Sequence, residues 1–176
     1  MKVLMMAAEV SPFVKVGGLA DVVGSLPKAV KKLKCDVRVV MPLYDVINRR
    51  KFKLKKIATG IDVPSGMGLE KVNVWESVLP GSKVKIYFIE CDKYFKGGAY
   101  AGKRDSAKFL FFSYAALFVT PVIKFIPDVV HCHDSHTAMV PDIIKKTNYE
   151  FLKNIKTLYT IHNFRYQGKT GVAVLS

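Results

Sequence analysis

Two short stretches of this sequence hold residue types dense enough to do chemistry. The first is Lys15-Val-Gly-Gly-Leu-Ala-Asp-Val-Val-Gly24, two adjacent glycines with a lysine on one side and a carboxylate on the other. Gly17 and Gly18 remove side chains in succession, so the backbone there can take positive φ and approach a ligand without a Cβ in the way. A glycine loop that opens a helix also offers free N–H groups and the positive end of the helix dipole, a cradle for phosphate. Lys15 and Asp21 are what favour a ligand over a bare β-to-α turn. The second stretch, His131-Cys-His-Asp-Ser-His-Thr137, packs imidazoles, a thiol, a carboxylate and hydroxyls into seven positions. His162 and Asn163 end a further short apolar run.

Familiar fingerprints do not fit either stretch. A dinucleotide loop needs glycines at its first, third and sixth positions, whereas here Gly24 follows an adjacent pair. Gly168-Lys169-Thr170 ends like a Walker loop, but Asn163 stands where its first glycine is needed. For zinc, His131 and His133 point the same way only if a strand persists, His136 lies past a turn, and no second cluster completes a tetrahedron. A Ser-His-Asp hydrolase would need a GxSxG elbow, which is lacking. Asp134 or Ser135 as a helix cap remains open, as does a histidine at the end of a strand that merely satisfies its own hydrogen bonds. No metal or other cofactor is expected.

The elements that must position these residues follow from periodicity. Lys2–Ala8 reads as a first strand, and Leu19 to Lys34 as a helix with an apolar face at three- and four-residue intervals. Asp36–Met41 reads as a second strand stopped by Pro42, completing a βαβ unit. Glu9 and Lys15 then lie on the carboxyl edge of the sheet, where open α/β folds bind ligands. Runs at Phe52–Ile57, Glu70–Val78 and Val84–Ile89, separated by Pro64-Ser-Gly and Pro80-Gly-Ser, predict a meander that extends the sheet. Cys91 to Lys103 is an aromatic, glycine-rich loop carrying Tyr100 and Gly102. Ser106 to Lys124 reads as a helix buried on more than one side, Pro127–His131 as a strand, the next helix as running to Lys146, and Lys156–Ile161 as a last strand. The fold class expected is α/β, a Rossmann-like, open, mostly parallel sheet flanked by helices, in a single domain spanning residues 1–176.

Composition narrows the class. With 50% hydrophobic and 24% charged residues the chain is expected to be globular and soluble, burying roughly 70% of its unfolded surface. The apolar run at 109–126 is broken by Ser113, Thr120, Pro121 and Lys124, and reads as a buried helix rather than a membrane span. Three scattered cysteines and no signal segment point to a reducing, cytoplasmic compartment. A net charge of +14 allows polyanion binding, but the lysines are spread along the chain and no nucleic-acid motif accompanies them. Nucleic acid is therefore an unfavoured partner.

The run Lys15-Val-Gly-Gly-Leu-Ala-Asp-Val-Val-Gly-Ser-Leu-Pro resembles the amino-terminal signature of bacterial glycogen synthases and plant starch synthases, retaining glucosyltransferases of the two-domain GT-B architecture. His133, Asp134, His136 and Thr137 match a second family segment, with Ser135 in place of a tryptophan. The segment from Thr160 to Gly168 resembles a third, with Phe164 and Arg165 departing from small or aliphatic residues. The resemblance implies glucose transfer from ADP-glucose to an α-1,4-glucan, with Asp134 beside the transferred glucose and His162 and Asn163 facing it. It further implies Lys15, Gly17 and Gly18 at the diphosphate, Asp21 and His133 in the binding site, and Tyr100 on the sugar side. The carboxy-terminal nucleotide-binding domain of such enzymes is missing here, so the chain is expected to be inactive alone. Other readings are a non-catalytic α-glucan-binding module, a GT-B enzyme using another nucleotide sugar, and a polyanion-binding Rossmann domain.

Overall fold

The computed structural model describes residues 1–66, 68–100, 105–165 and 167. Strand β1 (Lys2–Met6) leads through a loop to helix α1 (Gly18–Lys32) and strand β2 (Asp36–Pro42). β3 (Lys55–Ser65), β4 (Gly68–Val78) and β5 (Lys85–Glu90) follow, then the single turn α2 (Asp92–Phe95) and the long helix α3 (Asp105–Val122). β6 (Val129–His133), a 3-10 turn at Ser135–Thr137, α4 (Val140–Lys146) and β7 (Lys156–Thr160) complete the order. One seven-stranded sheet results, ordered β3-β4-β5-β2-β1-β6-β7. β5, β2, β1, β6 and β7 run parallel, and β3 and β4 are an antiparallel extension.

This order decides where a ligand can sit. From β1 the chain moves one way to β2, and from β5 it crosses back over β2 and β1 to reach β6. Crossovers between parallel strands are right-handed, so α1 covers one face while α3 and α4 cover the other. The loops leaving β1 and β6 therefore part in opposite directions at neighbouring strands. That switch point opens a crevice at their carboxyl ends.

The core explains the strands. Leu4, Met6, Val39, Met41, Ile86 and Phe88 are buried, as parallel strands covered on both faces require. Helix α3 contacts β2 and β5 of the sheet, β3, α4 and the 135–137 turn, which is why its apolar residues are not confined to one stripe. Arg38 lies along β2 with its guanidinium 4.1 Å from the Phe125 ring centre and donating to the Tyr87 hydroxyl at 2.8 Å.

Several boundaries differ from the sequence reading. β1 stops at Met6 and α1 at Lys32, each about two residues early. Phe52 and Leu54 alternate like a strand but belong to a turn, closed by Phe52 N–H to Asn48 O and Leu54 N–H to Arg49 O. The Phe52 ring packs 4.5 Å from Phe13, so tertiary contact overrides the alternation. β3 begins instead at Lys55 and continues through Pro64, tolerated because β3 is an edge strand. β6 extends to His133, and the helix expected to run unbroken to Lys146 is a 3-10 turn followed by α4. Gly102, Tyr166 and the Gly168-Lys169-Thr170 run lie outside the described residues.

Candidate functional site

The crevice at the ends of β1 and β6 is organised by Glu9, three residues past β1 and buried. One carboxylate oxygen accepts the N–H groups of Val16 at 2.6 Å and Gly17 at 2.9 Å, and the other accepts the Tyr100 hydroxyl at 2.9 Å. Charge-assisted bonds of this kind are among the stronger ones in proteins. Glu9 thereby fixes the glycine loop against the aromatic loop.

This corrects two expectations about the glycines. Gly17 has φ −135°, and Gly18 opens α1, so neither uses the left-handed region. The Gly17 N–H is already committed to Glu9 and cannot serve a phosphate as well. What the pair leaves is room: among the described residues a Cβ on Gly18 would touch nothing within 4 Å, and the Gly18 N–H heads α1 without an intrahelical acceptor. Gly24 is the glycine that packing demands, because a Cβ there would stand 2.7 Å from the Ser11 carbonyl oxygen. Lys15 and Asp21 form a half-exposed ion pair at 2.8 Å, which holds the lysine over the first turn of α1.

Across the crevice, β6 delivers His131 and His133 in alternation with Cys132, and β7 lies alongside in register, His133 opposite Thr160. Asp134 then turns out of the sheet with φ 56° and ψ −177°, an extended positive-φ conformation that glycine alone adopts readily and that costs another residue about 1–3 kcal/mol. Its N–H donates to Thr160 O at 2.9 Å and its side chain accepts the His162 N–H at 2.6 Å. It makes no side-chain cap for the following 3-10 turn, so the capping reading fails. Thr137 supplies the local closure, its hydroxyl oxygen accepting the His133 N–H at 2.7 Å and donating to His133 O at 3.0 Å.

The histidines form a stack rather than a metal cage. The His131 and His133 ring centres are 4.1 Å apart, and His133 Nδ1 meets His162 Nε2 at 2.9 Å. His131 Nε2 is bonded to the Thr160 hydroxyl at 2.8 Å. Among the described residues no group of three His, Cys, Asp or Glu side chains converges on a metal position. Burial, with His131 and His162 alongside, pushes His133 down to about 3, so this ring is neutral. Burial and His162 lower His131 as well. His136 is lowered by burial, against the pull of Asp134, Glu9 and Asp105. Among the described residues the His133 Nε2 and His136 Nδ1 atoms are buried without partners.

The two sides of the crevice meet through Tyr100. Its ring lies 5.3 Å from His136, which in turn packs edge-on against Phe109 at 4.5 Å. Burial and the Glu9 carboxylate raise the Tyr100 phenol far above its ordinary range, so it stays a donor. Thus Gly17, Gly18, Lys15, Asp21, Tyr100, His133, Asp134 and His162 gather on one edge. Asn163 is exposed beside them and spends its side-chain oxygen on the Arg165 N–H at 2.8 Å. Glu9, which its place just past the first strand puts on the ligand edge, and His136, which matches the family segment, join these residues at the crevice, although the sequence reading assigned neither a role of its own.

A family profile for the starch synthase catalytic domain matches residues 2–176. The chain is 40% identical over 177 residues to glycogen synthase 1 of Geobacter metallireducens, covering 96% of this chain and 35% of that protein. It is 43% identical over 176 residues to glycogen synthase of Thermotoga petrophila, covering 96% and 36%. Against the catalytic domain of starch synthase IV from Arabidopsis thaliana, solved with ADP and acarbose bound, the TM-score is 0.89 at 32% identity, covering 98% of this chain and 36% of that one. The chain thus spans little more than a third of the length of the relatives it matches. The profile match runs through both motif regions that build the crevice, and the chain belongs to the starch synthase catalytic domain family.

Proposed function

We propose that this chain is the amino-terminal, acceptor-side domain of a retaining glucosyltransferase that moves glucose from ADP-glucose to the non-reducing end of an α-1,4-glucan, in glycogen or starch synthesis. The observation that supports this most is the meeting of the glycine loop, Tyr100 and the Asp134–His162 pair at the β1/β6 switch point. It occurs in a chain that superposes on a starch synthase holding ADP and acarbose.

The reaction requires stabilisation of a departing diphosphate and of an oxocarbenium-like sugar. Lys15 and the amino-terminal end of α1, with Gly17 and Gly18 leaving the approach open, meet the diphosphate; Asp21 holds Lys15 in place. Asp134 and His162 act on the transferred glucose, their mutual hydrogen bond fixing the angle between them. The neutral His133 ring orients the His162 ring through its Nδ1 contact and leaves His162 Nδ1 for a sugar hydroxyl. Tyr100 and Asn163 border the sugar. The scheme uses no metal or other cofactor.

A carboxy-terminal domain carrying the rest of the nucleotide pocket completes the enzyme, so residues 1–176 alone are inactive in this reading. A cytoplasmic site is supported by three free thiols, two of them buried. No helix among the described residues is long and apolar enough to cross a membrane.

Calorimetric titration of the chain with maltoheptaose tests the acceptor side. Saturable binding that is lost in Tyr100→Ala and Asp134→Asn supports the reading, and no heat at millimolar sugar counts against an acceptor site here. Joined to a family carboxy-terminal domain, the chain should incorporate glucose from ADP-glucose into the glucan. Binding without turnover in that chimera would leave a glucan-binding module instead. Turnover by the isolated chain would refute its dependence on a second domain.

A further inference from the structure

The first turn of α3 buries a lysine. Lys108 is 3% exposed, with its ammonium 5.6 Å from the Phe109 ring centre and 5.8 Å from that of Tyr44. Placing an ammonium there costs several kcal/mol unless its donors are met. Three acceptors meet them: the Asp105 carboxylate at 3.2 Å, Ala99 O at 3.1 Å and Gly98 O at 3.3 Å. A methionine would fill the same volume without any desolvation cost, so packing alone does not call for a lysine.

What those carbonyls belong to is the informative point. The segment entering at Gly97, where φ is 96°, is tied to Asp45 by two bonds, Gly97 N–H to Oδ2 at 2.9 Å and Asp45 N–H to Gly97 O at 3.2 Å. Lys108 grips the next two residues, and the one after them is Tyr100, whose hydroxyl holds Glu9. Glu9 in turn holds the Val16 and Gly17 amides. The Tyr44 ring beside the ammonium points its own hydroxyl at Ala8 O, 2.9 Å away and next in the chain to Glu9. Two routes from the Lys108 pocket therefore converge on the end of β1.

We propose that Lys108 is a positioning residue: by holding the Gly98 and Ala99 carbonyls it seats Tyr100 on Glu9, and through Glu9 it sets the glycine loop. That this edge is the sugar and diphosphate edge rests on the function proposed above; the positioning chain itself does not.

Amide hydrogen exchange on the 176-residue chain separates the two. In Lys108→Met, protection of the Val16 and Gly17 amides should fall about tenfold, the scale of one hydrogen bond, while Met5 and Val39 in the core strands keep theirs. Tyr100→Phe should produce the same selective loss, and the double variant no further loss. Uniform loss through the core would make Lys108 merely structural and overturn the proposal, as would unchanged Val16 and Gly17 protection. Should Lys108→Met not fold, Tyr100→Phe still decides, since unchanged protection there breaks the chain at its middle link. Maltoheptaose affinity is read in parallel. Equal weakening in both variants ties the positioning to the sugar site. If the unmodified chain does not bind maltoheptaose, the functional reading fails, while the exchange data still decide the role of Lys108.

Discussion

The three histidines His131, His133 and His136 are all held below their ordinary value by burial, and this makes the fold sensitive to mild acid. His133 gives the magnitude. Its folded value is pushed to about 3 while an unfolded histidine titrates near 6.5. Between those values the unfolded chain binds a proton that the folded chain refuses, so stability falls as pH is lowered through 6.5 and continues to fall towards 3. From pH 7 to pH 5 the loss from this residue alone is about 2 kcal/mol, with a limiting slope of about 1.4 kcal/mol per pH unit. For a chain of this size that corresponds to a drop in Tm of about 4–8 °C. His131 and His136 act in the same direction and steepen the slope. Urea unfolding at pH 7, 6 and 5, compared between the unmodified chain and His133→Gln, reads the effect directly. The variant should be less stable at pH 7, with its hydrogen bond to His162 altered, yet flatter with pH by about one proton. A stability that does not change between pH 7 and 5, or an identical slope in the variant, would refute the assignment of a neutral, buried His133.

Three further outcomes follow from particular contacts. Gly24→Ala forces a Cβ to within 2.7 Å of the Ser11 carbonyl oxygen, and should cost about 1–3 kcal/mol of unfolding free energy in denaturant titration. Glu9→Gln replaces a carboxylate that accepts three hydrogen bonds by an amide that must present one N–H group towards a donor. A loss of about 1.5–3 kcal/mol is expected, with weaker maltoheptaose binding by calorimetry. Among the described residues β7 is an edge strand, and its Leu158 and Tyr159 are exposed on opposite faces with Lys156 alone to discourage pairing. The chain should therefore self-associate at high concentration, and Leu158→Lys should shift sedimentation towards the monomer.

Much of the architecture is legible from local pattern. The βαβ opening, the meander that extends the sheet up to residue 90, the long buried helix and the strand reaching His131 all follow from apolar period and turn residues, because those depend on neighbours within about four positions. The motifs marked the right edge of the sheet, since ligand-bearing loops follow parallel strands. Where local pattern failed, a distant partner was responsible. Phe52 and Leu54 alternate like a strand, yet Phe13, far off in the chain, holds Phe52 in a turn.

What the residues by themselves determined is the element order, the carboxyl edge of the sheet as the ligand edge and the family signature carried by the Lys15–Gly24 and His133–Thr137 runs. Only the tertiary structure decided how those parts are used. Glu9 and Tyr100 are 91 positions apart, and Asp134 and His162 are 28 apart, so no spacing rule could pair them. The glycine loop was read as a phosphate cradle with free amides, but a buried carboxylate takes the Gly17 amide, leaving the Gly18 N–H and open space for a ligand. The demand for glycine at 24 and for a cation at 108 arises from backbone that folding brings alongside them. Those close approaches and buried bonds exist only after the sheet has closed, which is why local sequence carries no trace of them.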